Sequence, residues 1–334
     1  MLALRLLEKD SSHSDRIQLQ DVKTPEPKEN EVLIQMQTAA LNRRDQWIRE
    51  GLYPGIRPAT LGSDGCGIVV KTGENAKKWE SKTVIINPNN NWGDDERHQS
   101  ADYHILGMPT DGTFAEFLCV NQDRLVEKPK SLSLEEAAAL PLAGLTAFRS
   151  AFYHGGIKKG DKVLISGAGG GVAQFAFQFA VAAGAKVFVT SGDDEKLEKL
   201  EEMGAAGAVN YRDEDWNKQL KEMVGSFDCA IDSAGGETFA EIIKLLGRSG
   251  RIVFYGATLG LPQKIDLYRM FFNQIRIQGS TMGSDKEFVE MVNFVEKHKI
   301  KPIIGSVTPF SDIISAFDTM KEGEGFGKLV VSMK

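Results

Sequence analysis

Residues 161–196, DKVLISGAGGGVAQFAFQFAVAAGAKVFVTSGDDEK, constrain the fold more than any other stretch of this chain. A buried strand over residues 163–166 feeds a glycine-rich turn, and a helical pattern over 172–183 begins at once. That order points backbone amides and the positive end of the helix dipole at one spot, where an anion is held. Ala168, Gly170 and Ala173 occupy the three small positions of the dinucleotide fingerprint, with Gly169, Gly171 and Val172 between them. Alanine at the first and third positions departs from strict G-x-G-x-x-G. The strand, the helix, the second strand at 186–190 and their spacing all fit, and together they predict dinucleotide binding.

The end of the second strand bears on which dinucleotide. An Asp or Glu there grips the ribose 2′-hydroxyl of NAD, whereas this chain has Ser191 at that position. A carboxylate repels a 2′-phosphate and a serine can donate to it. Lys196, one helical turn on, and Tyr211 with Arg212, after the third strand, are candidate phosphate partners. Asp193 and Asp194 pull the other way, although both suit a helix N-terminus. The expected cofactor is NADP(H).

Strand and helix patterns alternate from residue 162 to 255, the rhythm of a doubly wound parallel sheet. Ser133 and Glu136 stand at capping-box spacing ahead of a helix that Pro141 interrupts. The first 125 residues read instead as short strands between Gly, Pro and Asn turns, at 31–41, 62–73, 82–88 and 114–120. Between them residues 88–107 form a long polar loop, and the tail mixes helices at 285–298 and 312–320 with a strand at 327–332. At 334 residues two domains are expected. The boundaries read as 1–128 with 299–334 for a β-rich part and 129–298 for the dinucleotide part.

A net charge of −6 speaks against nucleic-acid binding. No apolar run suits a signal peptide or a membrane span, so a cytoplasmic protein is expected. Cys66, Cys119 and Cys229 are too few for a disulfide framework or a four-cysteine zinc site. His98 and His104, with Asp94, Asp95 and Glu96, have irregular spacing and read as a solvated loop rather than a metal site.

The segments AALNRRDQWIREGLYP, TLGSDGCGIV, LPLAGLTAFRSAF, the glycine loop and FGKLVVS follow in an order that resembles the medium-chain dehydrogenase/reductases over nearly the whole length. The resemblance implies an α/β protein, a Rossmann doubly wound parallel sheet plus a GroES-like β-rich catalytic domain. It also implies a homodimer or homotetramer, often paired through the sixth Rossmann strand, here 274–279. Where zinc-dependent members supply Cys, His-Glu and Cys or Asp, this chain has Asn42, Ser63-Asp64 and Leu142. Catalytic zinc needs three protein ligands, so a zinc-free enzyme is expected, similar to the quinone oxidoreductase branch. That branch reduces quinones or α,β-unsaturated carbonyls with NADPH. An enoyl-thioester reductase and a non-catalytic NADPH-binding redox sensor stand as alternatives.

By the same resemblance Asn42 and Thr146 sit beside nicotinamide or substrate, and Asp45 supports the Asn42 loop. Trp47 and Tyr53 line the substrate cleft. Gly256, Ala257, Ser280 and Thr281 contact the nicotinamide half, and Lys328 helps to hold the cofactor.

Overall fold

Six parallel strands lie in the spatial order Gly207–Asn210, Lys186–Ser191, Lys162–Ile165, Phe227–Asp232, Leu246–Phe254, Arg276–Gly279. In chain order that is 3-2-1-4-5-6, the Rossmann arrangement, and the order reverses beside Lys162–Ile165. In this computed structural model the described residues are 1–8, 15–323 and 325–333. They divide into two compact units, Met1–Ala143 with Gly283–Lys334, and Gly144–Met282.

In the second unit the helix Gly171–Ala182 is apolar on nearly every face, and Phe175, Phe177 and Phe179 are all buried. Helices with no polar face belong between other elements. Leu164, Phe188, Phe227 and Ile252 pack with the helix residues Leu220 and Ile243, and the Phe188 and Phe227 rings meet edge-on at 5.4 Å.

The first unit carries a seven-stranded sheet. Leu125–Glu127, Thr83–Ile86, Asp64–Thr72, Glu31–Ala40, Lys328–Ser332 and Ile304–Pro309 follow one another, and Phe117–Asn121 also pairs with Glu31–Ala40. This is the GroES-like β-rich part, and it is closed by the end of the chain: Val330 pairs with Ala40 and Ser332 with Thr38. A second, three-stranded sheet orders Ile17–Asp21, Leu2–Leu6 and Ala59–Thr60.

Residues 129–143 and 283–298, expected with the dinucleotide part, group with the β-rich unit. Side-chain ties explain this. Thr38 donates to Leu134 O at 2.8 Å, and Arg124 grips Asp285 through two bonds of 2.7 Å. The polar loop also has more order than its composition suggested. Asn89–Asn90 pairs with His104–Ile105, and Trp92 is buried against the edge of Tyr103 at 5.5 Å. Its Glu96 accepts from Ser284 Oγ at 2.5 Å. Among the described residues no helix is long and apolar enough to cross a membrane.

Ser133 caps the helix Leu134–Ala139: its hydroxyl accepts from Glu136 N at 3.1 Å, and Glu136 Oε2 accepts from Ser133 N at 2.7 Å. Ser133→Ala should cost ~1 kcal/mol in urea melts; an unchanged midpoint would show that the cap contributes nothing.

Candidate functional site: a buried polar centre and a dinucleotide cradle

In the β-rich unit the strand Glu31–Ala40 is followed by Leu41, whose N–H donates to Leu329 O at 2.9 Å. That register sets Lys328 opposite Leu41 and Asn42. Gly327 makes the approach possible: its φ is +99°, and a Cβ there would meet Ile303 O at 2.3 Å. Lys328 is buried, and its ammonium donates to Leu41 O at 2.7 Å, Asn42 Oδ1 at 2.6 Å and Asp64 Oδ2 at 3.0 Å. Asn42 Nδ2 donates to the same Asp64 Oδ2 at 2.9 Å, and Leu142 N donates to Asp64 Oδ1 at 2.8 Å. Three positions read as the places of zinc ligands thus meet as Asn42, Asp64 and the backbone of Leu142. Lys328, expected by resemblance to help hold the cofactor, thus has an internal acceptor for each of its three N–H groups.

Asn42 also precedes the helix Arg43–Glu50, which the sequence reading did not foresee. Asp45 sits in its first turn and accepts from Asn42 N at 2.8 Å. Asp45 therefore supports the Asn42 loop, as expected, but from full burial. Burial pushes its carboxyl up to about 6; Arg44, at 3.8 Å, opposes the rise and Asp64 adds to it. Arg44 itself went unassigned from sequence. Its guanidinium donates to Ser63 Oγ at 2.8 Å and to the carbonyls of Leu106 and Met108 at 3.2 Å each. It also lies 5.0 Å from the centre of the Tyr53 ring. Tyr53 lines a shallow cleft with Arg16, Ile56 and Arg57. Trp47 is half-buried on the same helix. Tyr103, another residue the sequence left unassigned, has a buried hydroxyl with no partner among the described residues.

In the dinucleotide unit the glycine turn is built as expected. Gly167 has φ +59°, a value open to glycine at little cost, and Ala168 N donates to Thr190 O at 2.9 Å. Ala168 and Ala173 are buried, where only small side chains fit against the sheet. Gly169 and Gly170 lead into Gly171 and Val172 of the helix, and no side chain caps its first turn. Those free amides suit a pyrophosphate.

At the end of the next strand two of the expected groups, Tyr211 and Arg212, lie over Gly192. A Cβ on Gly192 would stand 2.8 Å from the Tyr211 hydroxyl and 2.9 Å from Arg212 Nε, so both lie over its backbone. Ser191 Oγ is buried and accepts from Asp193 N at 3.3 Å, which leaves its own hydrogen to donate. Lys196 pairs with Asp193 at 3.6 Å, and Asp193 caps the following helix. Gly256 and Ala257 follow the fifth strand, in a turn tied to the fourth-strand loop by Thr258 N to Ser233 O at 3.2 Å. Ser280 and Thr281 follow the sixth strand, and Ser280 Oγ is buried without a partner among the described residues. Thr146 is buried, with its hydroxyl 3.8 Å from Met282 Sδ. The sequence reading missed Asp232. Its carboxylate accepts from Ser166 Oγ and, at 2.9 Å, from Gly235 N, joining the first and fourth strands at their carboxyl ends. Burial raises its pKa.

A Rossmann sheet with an uncapped glycine turn, joined in sequence to a GroES-like sheet, defines a nicotinamide-dependent oxidoreductase. Residues 28–130 match the alcohol dehydrogenase GroES-like domain and residues 171–297 the zinc-binding dehydrogenase domain. The chain is 35% identical to the zinc-type alcohol dehydrogenase-like protein YogA of Leptosphaeria maculans, over 95% of this chain and 94% of that protein. It is 30% identical to the acryloyl-coenzyme A reductase of Sulfurisphaera tokodaii (94% and 95% covered) and 27% identical to the quinone oxidoreductase of Mus musculus (99% and 97% covered). A crystal structure of an NAD-dependent alcohol dehydrogenase superposes with a TM-score of 0.93 at 34% identity, covering all of both chains. The chain belongs to the medium-chain dehydrogenase/reductase superfamily, and it is an oxidoreductase.

Two of those names contain zinc, and the residues here do not suit that metal. Zinc takes thiolate, imidazole or carboxylate ligands at about 2.0–2.3 Å. Leu142 offers no side-chain donor, and Ser63 Oγ donates to Leu106 O at 2.8 Å. Both Asp64 oxygens are already engaged. No group of three His, Cys, Asp or Glu is placed to hold a metal among the described residues. The dinucleotide cradle, in contrast, fits its ligand: free helix amides for a pyrophosphate and Ser191, Tyr211 and Arg212 beyond it.

The raised Asp45 pKa fixes a pH dependence. Folding favours its protonated form, so its contribution is full below its ordinary 3.8 and is lost as pH rises through about 6. Asp45→Asn should gain on the wild type by ~2–3 kcal/mol between about pH 4 and pH 7. Urea melts across that range test this; a pH-independent difference would mean that Asp45 ionises in the fold as it does in the unfolded chain.

Proposed function

We propose that this protein is an NADPH-dependent, zinc-free reductase of quinones or α,β-unsaturated carbonyls. The observation that carries the reading is the buried centre in which an asparagine amide and a leucine stand at zinc-ligand positions, with the Lys328 ammonium bonded to Asn42 and Asp64. Without a Lewis acid, a simple alkoxide has little to stabilise it. A conjugated enolate or hydroquinone spreads its charge and needs less help.

When bound, the nicotinamide dinucleotide supplies a hydride. The chain's own part is to hold both partners and to meet the negative charge that develops. Asn42 has two N–H groups, and Asp64 takes one of them. The second serves as an oxyanion donor, and its direction is fixed because Lys328 holds the amide oxygen. Tyr53 supplies a hydroxyl at the cleft as proton donor. Ser191, Lys196, Tyr211 and Arg212 favour a 2′-phosphate over a bare 2′-hydroxyl.

An enoyl-thioester reductase is the second reading, supported by Arg16 and Arg57 beside Tyr53, which suit an anionic acyl carrier. A cytoplasmic location fits three free thiols, with Cys66 and Cys229 buried. Self-association fits the helix Leu267–Asn273, where Leu267, Tyr268, Phe271 and Phe272 are exposed next to the edge strand Arg276–Gly279.

NADPH oxidation with 9,10-phenanthrenequinone, a 2-alkenal and crotonyl-CoA tests the activity and separates the two reductase readings. Tight NADPH binding with no turnover on any of them would favour the redox-sensor role. Asn42→Ala should lower kcat ~100-fold without weakening NADPH binding. Arg212→Ala should raise KM for NADPH ~10-fold and leave NADH unchanged; equal effects on both would remove Arg212 from the phosphate site. Phe271→Asp should reduce the assembly to a monomer in sedimentation velocity, and an unaltered sedimentation coefficient would place the interface elsewhere.

A further inference from the structure

The centre around Asp64 is a complete cation site with its cation already covalently attached. Three oxygens, Leu41 O, Asn42 Oδ1 and Asp64 Oδ2, surround the Lys328 nitrogen at 2.6–3.0 Å. Lys328 is 3% exposed, Asn42 7% and Asp64 0%, so water screens none of them appreciably. An ammonium has three N–H donors and here meets three acceptors, which is full satisfaction. The carboxylate is equally satisfied, by Leu142 N on one oxygen and by Asn42 and Lys328 on the other. A carboxylate, an amide oxygen and a carbonyl are hard donors. They suit an ammonium or an alkali or alkaline-earth ion better than zinc, which in this family is sought with sulfur and nitrogen.

We infer that the Lys328 ammonium is the resident cation of this centre, bonded to two residues at positions where the resemblance places zinc ligands, and that removing it leaves an oxygen cage able to take up an external ammonium. Zinc would have to displace the ammonium or bind beside it. The first breaks a buried ion pair and the second sets two positive charges in contact. The chain therefore excludes zinc by its own charge, not merely by lacking cysteine. The geometry also explains why a residue 286 positions away in sequence stands on Asn42. The last strand is what delivers the cation.

Two measurements, neither needing turnover, test this whatever the substrate is. First, the full-length wild-type protein is incubated with excess zinc, dialysed, and its zinc content measured. Less than ~0.1 zinc per chain is expected, since a resident ammonium denies the ion its ligands. One zinc per chain, abolished by Asp64→Asn, would overturn the inference.

Second, Lys328→Ala is melted in ~50 mM ammonium, n-butylammonium or tetramethylammonium chloride, concentrations high enough for weak binding to register. Melting several degrees below the wild type is expected in the tetramethylammonium salt, which has no N–H to donate. Ammonium or butylammonium should recover at least half of that loss, while the wild type responds equally to all three salts. Equal recovery in tetramethylammonium, or none in any salt, would mean that the oxygens do not form a cation cage. If Lys328→Ala fails to fold, Lys328→Arg is instead carried through the zinc measurement beside the wild type. A cation-filled centre predicts that the arginine variant also excludes zinc, and zinc uptake by it would contradict the inference.

Discussion

A lysine ammonium withdrawn from water must find acceptors for all its protons and a negative charge to offset its own, or the fold loses several kcal/mol. Lys328 meets both demands inside the β-rich unit, and much of that unit is arranged so that it can. The strand that begins at Lys328 must lie antiparallel to Glu31–Ala40 in one register, because a one-residue slip would turn the ammonium to the other face. Leu41 must present its carbonyl, and Asn42 must turn its amide to bridge the ammonium and Asp64. Gly327 must accept a backbone conformation that other residues resist. The ends of the sequence are brought together by this requirement as much as by apolar packing.

The same pairing links structure to chemistry. An asparagine with a free amide rotates, and its donor and acceptor exchange places at small cost. Held at both ends by a cation and an anion, the Asn42 amide keeps one orientation, which is the preorganisation that electrostatic catalysis requires. The dinucleotide unit uses a different electrostatic source: backbone amides at an uncapped helix end, with polar side chains gathered over Gly192. One unit offers a buried fixed charge and the other an open anion site. The first is built from residues that sequence distance keeps apart, the second around one contiguous turn.

The Rossmann part was legible in the sequence because each of its signals is local. Strand, glycine turn and helix follow one another without interruption; in the β-rich unit the Ser133–Glu136 cap is legible for the same reason, at three residues' spacing. Asn42, Asp64 and Leu142 were legible only as departures from a metal-binding pattern; their union through hydrogen bonds was not. Lys328 was legible only by resemblance, as a residue that helps to hold the cofactor, since nothing in FGKLVVS reveals that its partners lie at positions 41, 42 and 64. Asp232 was hidden for the same reason, one acidic residue at a strand end whose partner Ser166 follows another strand. The polar loop misled by composition. Its order comes from Trp92 against Tyr103 and from Glu96 against Ser284, contacts that a count of polar residues does not register.

The central claim is that Lys328 and Asp64 act as one unit, and a double-mutant cycle measures that unit directly. Urea unfolding of the wild type, Asp64→Asn, Lys328→Met and the double variant gives the coupling free energy. Each single change should strand a buried charge or dipole, while the double change removes both charges together. The account predicts a coupling of at least ~3 kcal/mol, with the double variant more stable than Lys328→Met alone. Additive losses, with coupling near zero, would contradict it.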